Sequence, residues 1–472
     1  MASPFSCHQS ELNTAIQLAQ TEVQQARNWF HTMGLHGLNR ASNYVAMALS
    51  DCATLYDESE PRLASLVSGE SYTVDDARTW LSAGLANHLT CLAGLRGKGF
   101  VETNVAAVQN LTNLLVEALA LYGKGANMGT RVGGGPKAYP SVNAGLLAYW
   151  DPVKSKANFV VAKDGSGTHR TINEAVEALD RIGHKRPQRV IVYVKAGVYN
   201  EKVVIDRNMR NVMFVGDGMG KTVVTGRRNV PDGDTTLTSA TFGVSGDGFW
   251  ARDITFENTA GPQKHQAVAL RVSSDQSVFY RCGIRGYQDT LYTHSLRQFY
   301  RDCHIYGTID FIFGDASAVL QNCDIFVRRP MNHQANMITA QGRSNVNENT
   351  VISIQNSRVK AAPSFVGVQN SFRTYLGRPW RKYSRTVFMK TDLDRLIDPK
   401  GWTEWEGKFA LSTLFYGEYM NTGPGASTSQ RVNWPGFHVL NSSQQASPFT
   451  AVNFIQGESW IPVTGVPFSI GI

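Results

Sequence analysis

Residues 279 to 326 carry one pattern written three times, and that repetition leaves the chain few architectures to choose from. Phe279-Tyr280-Arg281-Cys282-Gly283-Ile284 returns as Tyr300-Arg301-Asp302-Cys303-His304-Ile305. It returns again as Leu320-Gln321-Asn322-Cys323-Asp324-Ile325, so the cysteines stand 21 and then 20 residues apart. Short β-branched and aromatic runs that recur at this period between Gly, Asn and Asp turns predict a solenoid of the parallel β-helix type, one coil per repeat.

The column extends beyond the cysteines. Phe256-Glu257-Asn258-Thr259 precedes it by 23 residues, and Ile354-Gln355-Asn356-Ser357 follows after 34, which allows one coil plus an inserted loop over about 328 to 346. Seven residues beyond Thr259, Cys282 and Cys303 lie Gln266, Asp289 and Asp310. Successive coils stack about 4.8 Å apart, so the period predicts an amide and two carboxylates in one line. Two carboxylates that close cannot both ionise freely: one pKa rises while a nearby cation holds the other down. An isolated Asp at a coil corner more often supports a turn, but three stacked polar groups beside apolar runs point to a site.

Gly286-Tyr287-Gln288-Asp289-Thr290-Leu291-Tyr292, Gly307-Thr308-Ile309-Asp310-Phe311-Ile312-Phe313-Gly314 and Leu376-Gly377-Arg378-Pro379-Trp380 resemble the signature segments of plant pectin methylesterases. The resemblance runs from about residue 158 to the C-terminus. It includes Gly197-Val198-Tyr199-Asn200-Glu201, Glu257-Asn258-Thr259-Ala260-Gly261-Pro262 and Gly401-Trp402-Thr403-Glu404-Trp405. It implies an all-β, right-handed parallel β-helix over 158–472 that hydrolyses methyl esters of galacturonate units in pectin. Asp310, kept ionised by Arg378, is the implied nucleophile. Asp289 is the acid and base, Gln266 and Gln288 serve the oxyanion, and Thr236 and Trp380 contact the sugar. No cofactor and no metal is required, and the location implied is the cell wall, after secretion.

Ahead of this region the hydrophobic period changes to that of helices. Leu12, Ile16, Ala19, Val23, Ala26 and Phe30 form one stripe; Val45, Ala48, Cys52 and Leu55 a second; Ala77, Leu81, Leu85, His88 and Leu92 a third; Val105, Val108, Leu111, Leu115 and Leu119 a fourth. The third opens on a capping arrangement at Thr73-Val74-Asp75-Asp76, and Gly123 and Gly125 stop the fourth. The reading is an all-α four-helix bundle over 1–125, a Gly- and Pro-rich linker over 126–157, and one further helix from Thr171 to Ile182 that caps the β-helix. Cys52 and Cys91 can pair between two helices, Cys282, Cys303 and Cys323 stack as small buried groups, and Cys7 is left over. Asp51-Cys52 and Thr79-Trp80-Leu81-Ser82-Ala83-Gly84-Leu85 resemble the inhibitor-like domain that precedes many plant pectin methylesterases. Members of that type often carry a dibasic processing site in the linker, where this chain has Ala144-Gly145-Leu146-Leu147.

Charge divides the chain in the same place. Residues 1–125 hold seven Lys/Arg and eleven Asp/Glu, and the remainder holds 39 and 27, net −4 against +12. A basic domain suits an acidic polysaccharide, and an acidic bundle can dock on it, which makes the partners methyl-esterified pectin and either the chain's own helical domain or a separate inhibitor protein. No nucleic acid, membrane or second copy is expected: no run of about 18 apolar residues appears, and Met1 to His8 lack the basic start and apolar core of a secretory leader. Six cysteines without C-x-x-C argue against zinc. Gly216-Asp217-Gly218-Met219-Gly220-Lys221-Thr222 is one residue too short for a phosphate loop and leads into a strand-like run. Paired carboxylates also suit a retaining glycosidase, which shortens the polymer where an esterase does not. A non-enzymatic wall-binding protein is the other alternative, disfavoured by the full set of Gln266, Gln288, Asp289, Asp310 and Arg378.

Overall fold

The computed structural model describes residues 4–37, 43–68, 71–97, 105–125, 145–183 and 186–472. They form two compact units. One holds the N-terminal helices together with the segments Gly233–Thr238 and Asn345–Thr350; the other holds the remaining strands and the C-terminal segment.

In the helical unit, α1 (Pro4–Gly37), α2 (Asn43–Val67), α3 (Val74–Gly97) and α4 (Val105–Gly125) pack in sequence order, with α4 closing back on α1. Ile16, Ala19, Val23, Leu55, Leu81, Leu115 and Leu119 are almost wholly buried, which is what a stripe every three or four residues achieves in a bundle. Val105, Val108 and Cys7 lie outside the described side chains. Thr73 caps α3: its hydroxyl accepts from the Asp76 backbone N–H at 3.0 Å while the Asp76 carboxylate accepts from the Thr73 N–H at 3.0 Å. Cys52 on α2 and Cys91 on α3 are disulfide-bonded. His88 is buried and bound on both nitrogens, to the Tyr56 hydroxyl at 2.8 Å and the Thr112 hydroxyl at 2.9 Å, the position of a packed core histidine.

The second unit is a right-handed parallel β-helix of three sheets. Among the described residues sheet A has eleven strands, sheet B eight and sheet C seven, and every pairing is parallel. A coil passes through A, B and C in turn: Ser277–Tyr280, Gly283–Arg285 and Leu291–Thr293 form one, and Arg297–Arg301, His304–Gly307 and Ile312–Gly314 the next. Gly283 pairs with His304 and His304 with Asp324, so Cys282, Cys303 and Cys323 do form a buried column. Asp324 pairs with Arg358, which puts Ser357 next in that column.

Two expectations need correction. Gly283 pairs with Thr255 and Arg285 with Glu257, so the column continues through Ile254, not Thr259. The 23-residue step was measured from the end of the neighbouring strand, because the turn that follows it into sheet C is longer: Leu270 stands sixteen residues after Ile254, whereas Leu291 stands nine after Cys282. The segment read as an inserted loop over 328 to 346 contains a strand, Asn336–Gln341, that pairs with Ile312–Gly314. Its apolar alternation is masked by Asn336, Thr339 and Gln341, all buried.

Inside the coils, Phe214, Phe242, Phe249, Phe256, Phe279 and Tyr300 form a continuous aromatic core beside Ile284, Ile305 and Ile325. Full burial of each such side chain contributes about 1.5–3 kcal/mol. Helix α6 (Ile172–Ile182), which follows the four-residue helix α5 (Leu146–Tyr149), adds Ile172, Ala175, Val176 and Leu179 to this core and starts on a capping box between Thr171 and Glu174. Residues 126–144 of the expected linker lie outside the described set. From 145 on the stretch is packed: Leu147 and Trp150 are buried, and the Arg252 guanidinium donates to the carbonyls of Leu147, Ala148 and Trp150. Gly216 to Thr222 is the turn between two strands.

Gly314 ends a sheet C strand with φ near 131°, and a Cβ placed there would collide with the Thr293 carbonyl of the coil below. Gly314→Ala is therefore expected to destabilise the β-helix by about 3 kcal/mol, read as a lower unfolding midpoint of that unit.

Candidate active site

The turns that lead from sheet B into sheet C carry the paired aspartates. Leu291 pairs with Ile312, so Asp289 and Asp310, each two residues ahead, stand in register one strand apart. The Asp289 N–H donates to the Ile309 carbonyl at 3.0 Å, which fixes the two turns against each other. Both aspartates have a left-handed backbone, with φ of 62° and 50°. Asp tolerates that conformation better than most residues, and it aims both carboxyls off the same edge of the sheet. Both are buried.

Register places Val268, not Gln266, opposite Asp289, because Leu270 pairs with Leu291. The line of amide and carboxylates predicted from a seven-residue count therefore breaks: Gln266 stands opposite Tyr287. Its backbone is still next to Gln288, since the Ala267 N–H donates to the Gln288 carbonyl at 3.3 Å. Gln266 and Gln288 are both part exposed. Among the described residues no hydrogen bond engages either side-chain amide, which leaves their N–H groups available.

Arg378 comes from two coils above. It follows the strand Thr374–Gly377, and its N–H donates to the Thr339 carbonyl at 3.0 Å. Its guanidinium grips Asp310 with both forks, Nε to Oδ1 at 2.8 Å and Nη2 to Oδ2 at 2.6 Å. The Trp405 ring lies 4.2 Å from the same guanidinium carbon, so the group is held from two sides.

Burial pushes the Asp289 carboxyl well above its ordinary range, the Asp310 charge pushes it further, and Arg378 only partly opposes them. Asp310 is also raised, by burial, against the hydrogen bonds and charge of Arg378, which pull it back. The expectation that the cation holds this carboxyl down is thus only half met: desolvation wins in sign, and Arg378 keeps Asp310 below Asp289. A pair split in this order has one member suited to attack and one suited to give a proton.

Tyr292 and Phe313 stand three residues beyond the two aspartates and stack at 4.3 Å, and Trp380 meets Phe313 edge on at 6.0 Å. Gly342 makes room for Trp380; a Cβ there would lie 2.9 Å from its ring. Trp380 is part exposed, an apolar wall beside the carboxylates. Thr236 lies in the segment Gly233–Thr238, which groups with the helical unit. Tyr292, Phe313 and Trp405 were missed from the sequence, although the first two repeat with the same 21-residue period as the aspartates.

Residues 158–458 match the family described as pectinesterase. The chain belongs to the pectinesterase family. Residues 2–121 of this pectinesterase match plant invertase/pectin methylesterase inhibitors, so the helical region is inhibitor-like. A probable pectinesterase/pectinesterase inhibitor of Arabidopsis thaliana is 60% identical, over 97% of this chain and 94% of that one. A pectinesterase of Citrus sinensis is 49% identical over 97% and 88%. The solved pectin methylesterase from carrot is 55% identical, covers 67% of this chain and 98% of its own, and superposes with a TM-score of 0.66. The pectinesterase is accordingly an enzyme, a carboxylic ester hydrolase, with a parallel β-helix behind its site.

A buried carboxyl with a raised pKa makes the folded state lose stability as pH rises from the unfolded value, about 3.9, through the folded one. Asp289→Asn removes that penalty. The variant is expected to melt higher than the parent at neutral pH, with the gap closing near pH 4.

Proposed function

We propose that this enzyme hydrolyses the methyl ester of galacturonate units in pectin, releasing methanol and leaving a carboxylate. The observation that supports the residue roles is the bidentate Arg378–Asp310 pair beside a more strongly raised Asp289. An ionised Asp310 oxygen attacks the ester carbonyl carbon, and the carbonyl electrons move onto its oxygen. Gln266 and Gln288 donate amide hydrogens to that oxyanion. As the carbonyl reforms, the bond to methoxy oxygen breaks and Asp289 supplies its proton, so methanol leaves and an acyl anhydride joins the sugar acid to Asp310. Asp289, now a carboxylate, takes a proton from water as the water attacks the acyl carbon, and Asp310 leaves as the carboxylate it began as. The proton returned to Asp289 readies it for the next ester.

Trp380 gives the sugar ring an apolar face, and Thr236 is assigned as a further sugar contact. The bundle, by its match to inhibitors, is assigned the role of restraining a pectinesterase domain, its own or another's. We place the enzyme in the cell wall as a secreted monomer modifying pectin; among the described residues no helix is long and apolar enough to cross a membrane.

Methanol release from methylated pectin, followed with solution viscosity, tests the reaction: methanol appears and viscosity is not lost through chain cleavage, whereas a glycosidase shortens the polymer. Asp310→Asn is expected to lower turnover by roughly 10³-fold or more, and Asp289→Asn by about 10²–10⁴-fold. Gln288→Ala, which removes one oxyanion donor, costs about 10²–10³-fold. Near-normal methanol release by Asp310→Asn sinks the assignment.

The pH profile follows from the two shifts. Activity needs Asp310 ionised and Asp289 protonated, so kcat/KM falls as pH drops through the Asp310 value, already above the usual carboxylate range, and falls again as pH rises through the higher Asp289 value. Arg378→Lys keeps a charge but loses the fork; it is expected to lower turnover by about 10²-fold and move the acid limb upward. An unmoved acid limb would make the arginine a structural group.

A further inference from the structure

The outer face of sheet B differs from that of sheet A. Sheet A turns Trp250, Val278, Phe299, Val319 and Val351 outward, and the C-terminal residues Phe449, Phe454, Ile455 and Trp460 bury them. On sheet B the corresponding face leaves its side chains part exposed. One row, set by strand register, runs Arg285, Tyr306, Phe326, Lys360. The two rings stack at 4.4 Å and within 4° of parallel; the Arg285 guanidinium lies 5.6 Å from Tyr306 and the Lys360 ammonium 4.7 Å from Phe326. The row is a pair of rings with a cation at each end, spanning three strand spacings, roughly 14 Å.

Its positive charge is largely uncommitted. Among the described residues Arg285 forms no ion pair. Arg328, which follows the strand that carries Phe326, lies 3.7 Å over the Tyr287 ring and donates to the Tyr287 hydroxyl and the Gly286 carbonyl; the Glu257 charge acts on it without a salt bridge. Arg358 and Lys360 share one buried carboxylate, Asp324, while their side chains remain 58% and 38% exposed. Glu257 stands in register with Arg285 at one end of the row, and Asp392 stands in register with Arg358 beside the other end. Glu257 accepts from the Thr225 hydroxyl and makes no salt bridge to Arg285.

We propose that this face of sheet B, around Arg285, Tyr306, Phe326 and Lys360, is a second binding site for de-esterified, polyanionic galacturonan. Two stacked rings hide their faces in each other and present their edges outward, and ring edges carry the positive end of the aromatic quadrupole. The strip between the cations is thus apolar and hospitable to carboxylates, which suits a sugar polymer with an acid on every ring. Such a polymer meets both cations in any register along the strip. Its uncharged methyl ester meets neither, so the surface selects product over substrate. Arg285 and Tyr306 each lie four residues before a catalytic aspartate but on another face of the coil, so the two sites can hold different stretches of one chain.

The choice of ligand rests on pectin being the substrate, but binding is read without turnover, so the two readings fail separately. Retardation of the full chain in gels containing fully de-esterified polygalacturonate, at low and high salt, is the measurement. It is made in an Asp310→Asn background and repeated with highly methylated pectin. Arg285→Glu with Lys360→Glu is expected to weaken retention about fivefold or more and to flatten its salt dependence. Lys154→Glu with Lys156→Glu, equal in charge change at two exposed residues ahead of the first strand of sheet A, serves as the control, and Tyr306→Ala with Phe326→Ala is a second variant that leaves charge untouched and weakens retention about threefold. On a short methyl-esterified oligomer the charge-reversed protein with Asp310 intact turns over at the parent rate. Parent-like retention by both variants, or equal loss in the Lys154/Lys156 control, overturns the proposal. Loss of short-oligomer turnover in step with retention also overturns it, by making the face part of the catalytic cleft.

Discussion

Everything in the β-helix depends on the parallel register that stacks one coil on the next. The backbone hydrogen bonds between Leu291–Thr293 and Ile312–Gly314 fix the separation of two aspartates that are 21 residues apart in sequence. No side chain could hold two like charges this close by itself; the cost is carried by a ladder that extends well beyond the site. Slippage of either strand by one residue would turn an inward leucine or isoleucine outward and a carboxyl inward. The apolar interior therefore enforces the spacing of the two aspartates as a by-product of packing.

The electrostatics follow from that spacing. Arg378 arrives from a different coil, 68 residues after Asp310, and its fork satisfies both oxygens of one carboxylate while Asp289 receives none of those bonds. Asymmetry of partners, not of burial, separates the pair. Trp405 behind the guanidinium limits its motion, so the order of the two pKa values is built into covalent connectivity and ring packing together.

The solenoid, the paired aspartates and the amphipathic helices were legible because each rests on a period. Cys282, Cys303 and Cys323 announced the coil, and Asp289 and Asp310 inherited its spacing. Gln266 was found, but its register was not, since it lies in the turn between Asn258 and Leu270, which is longer than the one between Arg285 and Leu291, and counting cannot see turn length. The strand Asn336–Gln341 was hidden by polar residues that face a polar interior layer. The packing of Leu147 and Trp150 was invisible for a different reason: a short segment held by one arginine to three carbonyls has no periodicity at all. The sheet B row was present in the sequence but had no meaning until register brought Arg285, Tyr306, Phe326 and Lys360 side by side.

The left-handed backbone at Asp289 and Asp310 bears on how such a protein can change over generations. Asparagine and glycine accept that conformation as readily as aspartate, whereas β-branched residues do not. Asn differs from Asp by a single codon base, so the cheapest route away from either carboxylate leaves the backbone of these turns undisturbed. On the roles proposed for the two aspartates and for sheet B, a lineage can thus abandon the chemistry in one step while keeping the surface proposed to recognise the polymer, and it can return by the same step.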